Sequence, residues 1–159
     1  MHDTRALFPV VSLRVEVLHQ LRVLRDSHPV ALPSSSEQLV ARLVVEDRPL
    51  ARAVLAMVLW PERPHQDAGT RLRRALWRLN RDVPGLVECD GRQIGLSHGV
   101  DVDLAEIHRV AEAVGQGSCN VSPRAVRLLE GDLLPQWSEP WLDAPRESLR
   151  QVRLHPPPP

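Results

Sequence analysis

Between Ala68 and Arg81 the sequence places five arginines and no acid. At about 100° per residue, a helix over 67–83 gathers Leu72, Leu76, Leu79 and Val83 into one narrow apolar arc. Thr70, Arg74, Trp77 and Arg81 fall on the opposite face, with Arg71 and Arg78 on its flank. Asp67 is the expected N-cap, and no proline interrupts the run. A guanidinium is planar and always charged, and its fork matches both phosphate oxygens and the major-groove edge of guanine. Two readings of this helix stand side by side. Its arginines pair with acids on neighbouring elements, or they are kept free for an anionic partner. Trp77, off the apolar stripe, either packs under a neighbouring loop or lies against sugar and base.

The next segment bears on that choice. Leu86–Cys89 and Gln93–Leu96 flank Asp90-Gly91-Arg92, and Asp-Gly suits the type I′ turn of a β-hairpin. This puts Arg92 at a hairpin tip immediately after the basic helix.

Upstream elements must position both. Residues 11–18 alternate, with Val11, Leu13, Val15 and Val17 on one side and Ser12, Arg14 and Glu16 on the other, the period of a half-buried strand. Residues 21–25 and 29–32 are two further short strands around Asp26-Ser27-His28, giving an antiparallel meander. Ser34-Ser-Ser-Glu37 reads as a capping box opening a helix to Val45, and Asp47-Arg48-Pro49 breaks it. A second helix over 51–60 stops at Pro61 and Pro64. Three helices, the third basic, and then a hairpin form the order of a winged helix-turn-helix. In that arrangement the third helix enters the major groove and the wing reaches the flanking backbone. The expected fold class is therefore α+β, a winged helix with an N-terminal antiparallel β-meander and a C-terminal hairpin wing, followed by a small all-α segment.

Charge is divided along the chain. All twenty basic residues are arginine, and the formal charge is zero. Residues 1–81 hold thirteen arginines against eight acids, whereas 82–159 hold seven against twelve, so halves of +5 and −5 cancel. The acidic half is expected to sit away from any duplex. No run approaches the roughly 18 apolar residues of a membrane helix, and Arg14 and Glu16 interrupt the stretch after Phe8. Cys89 and Cys119 have no zinc-ligand spacing and form no disulfide framework.

Chemistry of the catalytic kind is not signalled. The chain has no G-x-G-x-x-G, P-loop, H-E-x-x-H or G-x-S-x-G. Asp101-x-Asp103 is read as a strand exit followed by a helix cap rather than a metal site. His65, His98 and His108 share no fixed spacing. No enzyme activity, metal or cofactor is expected. Asp103-x-x-Glu106 opens a helix with the stripe Leu104, Ile107, Val110, Ala111 and Val114. Residues 123–130 and 141–154 are further helices around a Leu133-Leu134-Pro135 corner, with Trp137 and Trp141 packing them onto the N-terminal unit.

In this order the chain resembles the DNA-binding domain of the SARP-type bacterial activators (antibiotic regulatory proteins), whose winged helix is of the OmpR type. The resemblance rests on LRVLRDSHPVALP at 21–33, VLAMVLWPERP at 54–64, RLRRALWRLNR at 71–81 and LVECDGRQIGLSHGVDVDL at 86–104. Downstream, 128–155 is similar to the opening of the bacterial transcriptional activator domain of that family. The resemblance implies a winged-helix domain over 1–102, a partial helical activator domain over 103–155 and a proline tail at 156–159. It further implies a cytoplasmic, sequence-specific transcription regulator, an activator, that binds double-stranded DNA, with homodimers on promoter repeats and RNA polymerase contacted through Pro61–Gln66. The expected DNA-binding residues are Thr70, Arg71, Arg74, Trp77, Arg78, Arg81 and Arg92. The rival expectation is a truncated protein-interaction module, its helical C-terminus and proline tail binding a partner after DNA affinity is lost. The sequence departs from the family at Ala51, where a Ser or Thr cap is usual, and in the meander turn, which lacks a glycine.

Overall fold

The structure is a computed structural model and describes residues 11–117 and 122–154. Cys119, Asn120 and the proline run at 156–159 lie outside the described residues. The fold is α+β. Strands β1 (Leu13–Glu16), β2 (Arg22–Arg25) and β3 (His28–Pro29) form the meander. Helix α1 (Ser34–Glu46), the short strand β4 (Leu50–Ala51), α2 (Arg52–Leu59) and α3 (His65–Asp82) follow. The wing is β5 (Val87–Asp90) and β6 (Gln93–Leu96). A last strand, β7 (Asp101–Val102), leads into α4 (Asp103–Gly115), α5 (Pro123–Glu130) and α6 (Asp143–Leu154).

Two sheets frame the helices. One has the order β3-β2-β1-β7, and the other β4-β6-β5. The alternation of β1 is realised: Leu13 and Val15 are buried, while Arg14 and Glu16 are half-exposed. Neither β4 nor β7 is visible in the sequence pattern, because a two-residue strand has no period to display. Each exists through its partner. Leu50 pairs with Ile94, which ties the three-helix unit to the wing, and Arg14 pairs in parallel with Asp101.

The two hairpin turns differ from the expected chemistry. The meander turn is Asp26-Ser27, with both residues at positive φ (49° and 67°), the pattern of a type I′ turn achieved without glycine. The Asp26 carboxylate compensates by accepting from the Ser12 backbone N–H at 2.9 Å. In the wing, Asp90 pairs with Gln93, so the loop is Gly91-Arg92 rather than one centred on Asp-Gly. Only Gly91 there has positive φ, which the I′ geometry requires of both central residues.

Three expected caps are replaced. Pro33 caps α1 and its carbonyl accepts the Glu37 N–H, so Ser34 is already inside the helix and no Ser34–Glu37 box forms. Pro64 caps α3, which places Asp67 inside the first turn, where its charge opposes the helix dipole favourably. Val102 precedes α4, and the Asp103 and Glu106 side chains are engaged elsewhere. Ala51 gives α2 no side-chain cap, as expected. On α4, Ile107 and Ala111 are buried, whereas Val114 departs from the expected stripe and is exposed.

One cluster of buried side chains joins β1 and β2, α1, α2 and α3, the wing base, Ile107, Leu133, Leu134, Leu142 and Leu149. The C-terminal helices are tied to the meander by specific polar contacts. The buried Asp103 carboxylate accepts from the backbone N–H of Val17 and of Leu18, both at 3.0 Å. Leu134 donates its N–H to the Val17 carbonyl and His19 donates to Asp132. Arg146 Nε and Nη2 donate to the carbonyls of Leu133, Leu134 and Trp137, which fixes the Leu133-Leu134-Pro135 corner. Trp141 meets α1, with the Arg42 guanidinium 4.7 Å from its ring centre. Among the described residues no helix is long and apolar enough to cross a membrane.

Candidate nucleic-acid interface

Helix α3 buries Ala68, Leu72, Ala75, Leu76 and Leu79 and packs chiefly on α2 and α1. The narrow stripe thereby turns the opposite face outward. Arg71, Arg73, Arg74, Trp77, Arg78 and Arg81 are all exposed. Trp77 is 64% exposed, so it packs under no loop.

The charges on this face are mostly unanswered. Among the described residues only Arg81 has a carboxylate partner, Asp82 at 3.1 Å. Among the described residues Arg71, Arg73, Arg74 and Arg78 make no ion pair, and neither does Arg92 at the wing tip. The reading in which neighbouring acids neutralise the helix therefore fails for four of its five arginines.

Local contacts give each side chain a different freedom. The Thr70 hydroxyl donates to the Gln66 carbonyl and accepts from Arg73 Nη2 at 3.2 Å, so its proton is used within the helix. Arg71 leans toward α2, its guanidinium 6.0 Å from the buried Trp60 ring. Arg81 lies 5.0 Å from the Trp77 ring centre. Arg74 and Arg78 project from the face with no polar partner among the described residues. Arg92 is held through its backbone, since its carbonyl accepts the Arg52 N–H at 2.8 Å and sets the wing tip beside the start of α2.

Arg73 belongs to this face and is absent from the expected set. It falls at the edge of the polar arc, nearer the apolar stripe than the other arginines, but it is exposed and reaches Thr70. Its signal is simple: it is one of the five arginines of the acid-free run.

Other candidates do not assemble. His65 opens α3, His98 lies on the loop after the wing, 3.9 Å from Glu88, and His108 is on α4. Asp103 is spent on Val17 and Leu18, which removes it from any pair with the exposed Asp101. Among the described residues no group of three potential ligands is placed to hold a metal. Cys89 is an exposed free thiol on β5.

No protein-family model matches the chain, and no curated protein matches it. Among solved structures, it is similar to Mycobacterium tuberculosis EmbR, determined in complex with a low-affinity phosphopeptide. The TM-score is 0.45 and the identity 23%, over 91% of this chain and 41% of the EmbR chain. The present chain thus spans about two-fifths of the length of that neighbour.

Proposed function

We propose that the chain is a sequence-specific DNA-binding transcription regulator, with α3 in the major groove and the β5–β6 wing on the flanking backbone. One observation carries this reading. In a winged-helix fold, the outer face of the third helix presents four exposed arginines without carboxylate partners among the described residues, around a 64% exposed Trp77. Exposed like charges on a single face are unfavourable to one another, and phosphates relieve that repulsion while releasing counterions. Arg74 and Arg78, free of local partners, read base edges. Arg71, Arg73, Arg81 and the wing tip Arg92 hold the backbone, and Thr70 sets Arg73.

The family resemblance supports the finer assignment: an activator of the SARP type, with a DNA-binding unit over 1–102 and a helical activator unit over 103–155. On this reading homodimers occupy promoter repeats, and the exposed Pro61–Gln66 segment between α2 and α3 meets RNA polymerase.

Selection of bound duplexes from a random pool, followed by gel shifts with the wild type, Arg74→Ala and Arg78→Ala, tests the proposal. An enriched motif is expected, with each substitution weakening binding and relaxing selection at its own position by about 1–3 kcal/mol. Binding that enriches no motif and ignores both substitutions would reject the DNA reading in favour of a protein-interaction module.

A further inference from the structure

The acidic C-terminal half contains a basic concavity far in sequence from the α3 face. Arg146, Arg150 and Arg153 recur at helical spacing along one side of α6. They line a cavity of about 250 Å³ with Asp132, Pro135 and Leu149. Arg146 is anchored, three of its five N–H groups being given to the carbonyls of Leu133, Leu134 and Trp137. Its guanidinium therefore cannot swing out to solvent.

Arg153 is the anomaly. Its side chain is 19% exposed, and among the described residues its sole carboxylate contact is Nη1 to Asp132 at 3.5 Å. Nε and Nη2 of the same guanidinium are buried with no hydrogen-bond partner among the described residues. Buried donors of a charged group are costly to leave unmet, and native structures satisfy them with protein, water or an ion. The negative end of the helix dipole accounts for a basic residue in the last turn of α6. It does not account for burying two donors without an acceptor.

We infer that this cavity is an anion site, roomy enough for the oxyanion of a phosphate or phosphomonoester. Arg153 turns its buried Nε and Nη2 toward the cavity as two donors, Arg150 swings in as the rim donor, and Arg146 supplies fixed positive charge. The Arg150–Glu147 pair is 2.6 Å long but both partners are more than half exposed, so it exchanges readily for a better acceptor. Asp132, 76% exposed at the opposite rim, is the one carboxylate among the lining residues and turns outward as the anion enters. Phosphate is favoured over a carboxylate because its oxygens reach donors on both Arg150 and Arg153 at once.

The site is independent of the DNA-binding proposal and is tested separately on the full chain. Arginine Nε–Hε correlations are followed by NMR during titration with sodium phosphate, and with sodium chloride at matched ionic strength. The Arg153 and Arg150 signals are expected to move saturably with phosphate and to stay still in chloride. R153Q and R150Q are expected to weaken the phosphate response by about tenfold or more, while R127Q on α5 leaves it unchanged. Phosphate binding to the α3 arginines is read from their own signals in the same spectra. An Arg153 signal that ignores phosphate, or moves equally in chloride, overturns the inference and leaves the cavity to water. So does an undiminished response in a folded R153Q. Should R153Q fail to fold, the wild-type titration decides alone.

Discussion

The Arg81 guanidinium stacks 5.0 Å from the Trp77 ring centre while its Nε donates to Asp82 at 3.1 Å. Among the described residues Arg81 is thus the one arginine of the α3 face whose charge is already answered, and it lies against the exposed Trp77 ring. Its contribution to the DNA backbone is expected to differ from that of Arg92 at the wing tip, which has no carboxylate partner among the described residues. In salt titrations of DNA affinity, Arg92→Ala should reduce the log–log slope by about 0.9, the equivalent of one phosphate contact. Arg81→Ala should change the slope by clearly less. Equal slope changes for the two would show that Asp82 releases Arg81 on binding.

Trp77 separates stability from recognition. A 64% exposed side chain contributes little to the fold, so Trp77→Ala should alter the urea midpoint by no more than about 0.5 kcal/mol. Its loss from the centre of the contacting face should nevertheless cost about 1–3 kcal/mol of specific DNA affinity. A large stability loss with unchanged affinity would make Trp77 a packing residue instead.

What could be read from the sequence tracks the range of each interaction. The α3 stripe was legible because Leu72, Leu76 and Leu79 repeat at helical period, and the outward face followed as its complement. Arg73 escaped because an angular wheel does not show how far a long side chain reaches. The caps were misread for a different reason. Ser34, Asp67 and Asp103 all have the right type and spacing, but Pro33, Pro64 and Val102 occupy the cap positions. Local spacing identifies a helix start only to within a residue or two. Asp103 is the instructive case, since its partners Val17 and Leu18 lie more than 80 residues away and no local pattern could name them. Partnerlessness is likewise invisible: nothing in a string of arginines says which of them will find an acid.

The Asp103 contact predicts how the C-terminal helices are held. Burial pushes its carboxyl above the usual range, opposed by the N–H groups of Leu18 and Val17. Asp103→Ala leaves those two donors without their acceptor, at about 1–3 kcal/mol each. The urea midpoint should fall accordingly, with little change in m. Asp103→Asn keeps one acceptor oxygen and should lose less. A loss near zero for the alanine variant would mean that water replaces the carboxylate.

Glu106 gives the opposite sign and a pH signature. Partial burial works against its charge, but the hydrogen bond and charge of Arg14, with Arg124 and Arg109 nearby, outweigh it and hold the carboxyl below its ordinary range. The pair is short, Arg14 Nη1 to Glu106 Oε1 at 2.6 Å, and joins β1 to α4. Because the folded pKa lies below the unfolded one, the stabilisation is full above the ordinary carboxylate range. It is lost as pH falls through the folded value. E106Q should therefore lower stability near neutrality by about 1 kcal/mol. The gap between wild type and E106Q should close in acid, once the wild-type carboxyl is protonated. Arg14→Ala should abolish most of that pH dependence, and the double variant should show non-additivity of similar size. A wild-type and E106Q pair whose unfolding curves stay parallel at every pH would remove Glu106 as the acid-labile link between the meander and α4.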